Sequence, residues 1–71
     1  MSAVVKRSVS IRGHRTSISL EEPFYEELER IARRRDMAIA ALIAHIDENR
    51  PPDTNLSSAI RLYVLDDLRG R

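Results

Sequence analysis

The sequence predicts a mostly helical domain with one short β-strand at its N-terminal end, completed as an intertwined homodimer, and three helices after the strand. Three observations predict it. Arg15-Thr16-Ser17-Ile18-Ser19-Leu20 alternates polar and apolar residues, as a strand with one oily face does. Three later segments carry apolar residues at helical spacing. At 71 residues without Cys or Trp, the chain is short of core and has no disulfide to compensate. A domain this size buries only about 60% of its unfolded surface, so a second copy is the expected source of cover.

In the strand, Ile18 and Leu20 fall on one face and Arg15, Ser17 and Ser19 on the other. A lone strand leaves backbone donors and acceptors unpaired. The expected partner is the same strand of a second copy, paired antiparallel into a two-stranded ribbon. Its outward face of Arg and Ser suits the major groove of double-stranded DNA. An Arg there can bridge guanine O6 and N7, and a Ser hydroxyl discriminates weakly.

The first helix is expected to start at Glu21-Glu22-Pro23, since Pro is tolerated in the first turn and acidic groups favour the positive end of the helix dipole. Phe24, Leu28 and Ile31 form its apolar stripe, and Arg33-Arg34-Arg35 suit its C-terminal end. After a break at Asp36-Met37, Ile39, Leu42, Ile43 and Ile46 line a second helix. It ends near Asp47–Glu48, ahead of Pro51-Pro52. Asn55 is a good N-cap for a third helix reaching about Leu68. That helix is apolar around most of its circumference, with Ile60, Tyr63 and Val64 joining Ile18, Leu20 and the earlier stripes in the expected dimer core.

Charge is unevenly distributed. Residues 1–20 carry Lys6, Arg7, Arg12 and Arg15 with no acidic group, while the chain as a whole is only +1. One concentrated basic end suits a polyanion. Residues 1–12 are expected to be a basic arm preceding a domain at 13–71, with Lys6, Arg7 and Arg12 on DNA phosphates. The alternative is a second strand, Ser8–Arg12, folded back through Gly13-His14 onto Thr16–Leu20. It would place an extra strand beside the ribbon. No apolar run is long enough for a membrane span, and the N-terminus lacks the apolar centre of a signal peptide. A cytoplasmic protein is expected.

Arg15–Leu20 running straight into Phe24…Leu28…Ile31, then a tight turn and Met37-Ala38-Ile39-Ala40-Ala41-Leu42-Ile43, resembles the ribbon-helix-helix family of bacterial DNA-binding proteins, the Arc and MetJ class. The resemblance covers about residues 15–48. The segment after it resembles variants with an added C-terminal helix. It implies a homodimer, of higher order on DNA in some members, whose ribbon contacts bases through Arg15, Ser17 and Ser19. It also implies phosphate binding by the amides of Ile39 and Ala40 at the start of the second helix. Asp36 stands where Gly is usual, and Ala38 and Ala40 where Ser or Thr is common. Ser57 and Ser58, at the start of the third helix, offer a rival phosphate site.

A transcriptional repressor is the leading expectation. An antitoxin-like or adaptor module, using Leu62, Tyr63 and Leu65 of the third helix against a protein partner, is the alternative. His14 lies beside the supposed reading face, and neither it nor His45 has a second ligand at metal-binding spacing. Neither a metal nor a cofactor is expected. No acid, base or nucleophile converges as catalysis requires, so no catalytic residue is assigned.

Overall fold

A computed structural model describes residues 3–70. Its elements are β1 (Val4–Ile11), β2 (His14–Glu21), α1 (Glu22–Arg34), α2 (Ile39–Asn49) and α3 (Leu56–Leu68). The helices fall where their apolar periodicity and breakers put them. Pro23 sits in the first turn of α1 and Arg33 and Arg34 in its last. The Asn55 side chain accepts the Ser58 N–H at 2.9 Å, capping α3. Asp36 takes a positive φ of 55° in the α1–α2 turn. Glycine does this most easily, but Asp tolerates it better than most residues.

The N-terminal segment differs from the expected arm. Residues 4–11 form β1, which pairs antiparallel with β2 from Val4↔Glu21 to Ile11↔His14. Residues 1 and 2 of the expected arm lie outside the described residues. The basic segment is therefore part of the domain, and β2 takes its partner from its own chain instead of from a second copy. Arg12 and Gly13 close the hairpin with φ values of 50° and 81°, the two positive angles of a type I′ turn. Its twist matches that of the flanking strands. Arg12 is held in this conformation by Asp47, at 2.9 Å, and by Glu48 and the Ala44 carbonyl.

The helices cover one side of the sheet and one of its edges. Ile18, Leu20, Leu28, Ile31, Leu42, Ile43, Ile60 and Val64 are fully buried. Ile46 is buried with Ile11, Ala32 and Ala59, while Phe24 and Tyr63 pack against this core half-buried. The residues expected to fill a dimer core thus make a core within a single chain. Asp67 on α3 ties the far end of α1 down, accepting from Arg30 at 2.9 Å and from Arg34. The Arg34 guanidinium, with Arg30, holds its carboxyl below the usual aspartate range.

Candidate nucleic-acid interface

Side-chain alternation divides the hairpin into two faces. The inner face carries Ile11, Ile18 and Leu20, with Val9 packed against them. The outward face stacks three cross-strand pairs, Lys6↔Ser19, Ser8↔Ser17 and Ser10↔Arg15, with Val4↔Glu21 at its end. Lys6, Ser8, Ser10, Arg15 and Ser17 are exposed and Ser19 is half-buried. Arg15, Ser17 and Ser19 thus share one face, as their spacing requires. Ser8 and Ser10 extend it, and the arm expectation had left them without a place there.

The outer edge of β2 is covered by α3. The Ser19 N–H donates to Ser57 Oγ at 3.0 Å, and Arg61 donates to the Ser19 carbonyl at 3.0 Å. Arg61 also binds Glu21 at 2.9 Å. That hydrogen bond holds the Glu21 carboxyl below its ordinary range, so the acidic group at the end of the outward face is charge-paired. Arg61 was not singled out from the sequence. It lies 42 positions from Ser19, and no local pattern connects the two.

The two rival phosphate sites fare differently. Ser57 and Ser58 lie beside Ser17 and Ser19, sharing with Arg50 and Arg61 an open cleft of about 530 Å³. The start of α2 has no side-chain cap and no acidic residue in its first turn. The amides of Ile39 and Ala40 stand there, a turn and more before Ala44, where Arg12 ties the hairpin turn to α2. Arg7 and Arg12, expected on phosphates, are engaged inside the chain. Arg7 lies on the inner side, 3.7 Å from the Tyr25 ring centroid and 2.9 Å from Glu22. Arg12 is held by Asp47 and Glu48. His14 opposes Ile11, which puts it on the inner side of the hairpin and not on the reading face.

A strand pair entering a helix–turn–helix pair, with a further helix behind, is the arrangement on which the family comparison bears. The ribbon-helix-helix domain matches this chain over residues 4–68, which includes β1. The chain belongs to the ribbon-helix-helix family. No curated protein and no solved structure matches it. Ribbon-helix-helix domains bind DNA and are not enzymes, so membership implies a DNA-binding regulator. For a ribbon-helix-helix chain the outward hairpin face is the candidate interface. A two-stranded ribbon fits a major groove about 12 Å wide. Among the described residues no group of His, Asp or Glu is placed to hold a metal ion, and no helix is long and apolar enough to cross a membrane.

Proposed function

We propose that this ribbon-helix-helix protein is a sequence-specific transcriptional repressor that occupies an operator with its hairpin in the major groove. The observation that carries the reading is the outward face itself: exposed Arg15 and Ser17, with Ser19, on a two-stranded ribbon whose other face is core. Arg15 supplies most of the base readout, as a side chain able to bridge guanine O6 and N7. Ser17 and Ser19 add weaker contacts, and Ser57 and Ser58, which share an open cleft with them, bind a phosphate alongside the ribbon. Replacing Arg15 by Ala is expected to narrow the gap between operator and random DNA by about 1–3 kcal/mol. Gel-shift titrations against fragments that include the protein's own upstream region measure it. An unchanged gap would remove Arg15 from base readout and the hairpin face from the interface.

A second reading concerns α3. Leu62, Leu65 and Leu68 are 59%, 40% and 59% exposed. With Ile46, Ala59 and Tyr63, the first two border an apolar groove of about 410 Å³ between α2 and α3. Apolar side chains grouped around an open groove suit a protein contact. We assign it to homodimerisation, which would carry two hairpins on one particle. An antitoxin-like or adaptor role would use the same face for a different protein.

A further inference from the structure

The hairpin register carries more than the pairing. Three of the four outward residues of β1 have a chemical counterpart nine positions later on β2: Lys6 and Arg15, Ser8 and Ser17, Ser10 and Ser19, while the position matching Val4 is Gly13 of the turn. The inner face follows the same offset at Val9 with Ile18 and Ile11 with Leu20, and departs from it at Val5 with His14 and Arg7 with Thr16. Because Ser8 opposes Ser17 directly, a half-turn about that pair carries β1 onto β2 and each residue onto its counterpart. One chain therefore builds a pseudo-twofold ribbon of the kind that two identical strands would make.

We infer that the hairpin is a complete, pseudosymmetric reading head within one chain, in which Lys6 reads bases as the counterpart of Arg15 and Ser8 and Ser10 match Ser17 and Ser19. This rests on the DNA-binding reading above, and it moves Lys6 from the phosphates to the bases. Lys and Arg are both suited to guanine O6 and N7, so the DNA core is a short inverted repeat with a G·C pair toward each end. The two cations lie four residues apart along the ribbon, roughly 14 Å at about 3.4 Å per residue. That matches the rise of about four base-pair steps.

Two features make the ribbon self-sufficient. The far edge of β2 is covered by Ser57 and Arg61, so β2 cannot pair with a second β2 unless those contacts break. The inner face is core, so only one face can meet DNA. Of the charged groups on that face, Glu21 is held by Arg61, which leaves Lys6 and Arg15 as its two exposed charges.

The test selects binding sites from a random DNA pool with the parent protein, Lys6→Ala and Arg15→Ala. The expected result is an inverted core in which each variant loses preference at one end, by about 5- to 150-fold. Lys6→Arg should make the two ends more alike. If Lys6→Ala weakens all DNA equally and leaves base preference intact, Lys6 is a phosphate contact and the pseudosymmetric head is wrong. Failure of Arg15→Ala as well would take the DNA-binding reading with it.

The absence of Cys provides a separate check of the single-chain ribbon. Val9 and Thr16 are directly opposite on the inner face. Residues so placed lie about 4.5–5.5 Å apart at Cα, within disulfide reach. Oxidised Val9→Cys/Thr16→Cys should migrate as one chain and keep the parent's site preference. Chain-to-chain cross-links alone, or loss of preference on oxidation that reduction restores, would overturn the inference.

Discussion

Arg7 carries the same charge as Lys6 beside it and does a different job, because neighbouring residues on a strand face opposite ways. Lys6 is exposed on the outward face of the hairpin, whereas Arg7 lies over Tyr25 and against Glu22. Arg7 Nη1 is buried with no hydrogen-bond partner, a cost accepted by a side chain held for packing and charge. Replacing it by Ala removes a cation–π contact of about 0.5–1 kcal/mol and a part-exposed ion pair of up to about 1 kcal/mol. Urea unfolding should therefore show a loss of about 1–2 kcal/mol. The slope of log affinity against log salt should stay at the parent's value. A slope shallower by about 0.9 would mean that Arg7 reaches a phosphate after all.

The hairpin turn is the element whose chemistry the sequence hid. Type I′ turns favour Asn-Gly or Asp-Gly, and Arg12 in the first place disguises this one. Gly13 has open space around the position of a Cβ, so its requirement is conformational. Gly13→Ala should cost about 1–2 kcal/mol through its φ of 81°. Thermal unfolding measures that, and an unaltered midpoint would show that the turn has another shape.

The helices and the orientation of β2 were legible because their signals are local: the Phe24–Leu28–Ile31 stripe, Pro23, the Asn55 cap, and the alternation of Arg15 to Leu20. The strand character of β1 was legible only as the alternative to an arm, a strand at Ser8–Arg12 folded back through Gly13-His14, and its first half was not. Arg7 occupies an inner position, and this breaks the polar–apolar alternation that would have marked it. The Ser57 and Arg61 contacts that cover β2 span 38 and 42 positions and leave no local trace. Of the candidate interface, the half on β2 could be read, while the half on β1 depended on a fold-back that basic residues do not advertise.

Considered whole, the molecule has a closed core and an unfinished exterior. Among the described residues, eight large side chains are fully buried within a single chain. Leu62 and Leu65 of α3 border the groove against α2, which no hairpin residue lines. A second copy docked there would leave both hairpins free and carry two reading heads at a fixed separation. Bivalent attachment raises apparent affinity by about 10²–10⁴ without new DNA contacts, provided both sites can be reached together. Leu62→Glu/Leu65→Glu places charge on that exposed face and leaves the core untouched. Sedimentation should show the parent at twice the chain mass and the variant as a single chain. Binding to an operator with two sites should weaken by a factor in the range of avidity, and binding to one isolated site should stay the same. If parent and variant sediment alike, α3 is not the dimer contact. If both single-site and double-site binding fall together, the leucines serve the fold of the reading head and not its pairing.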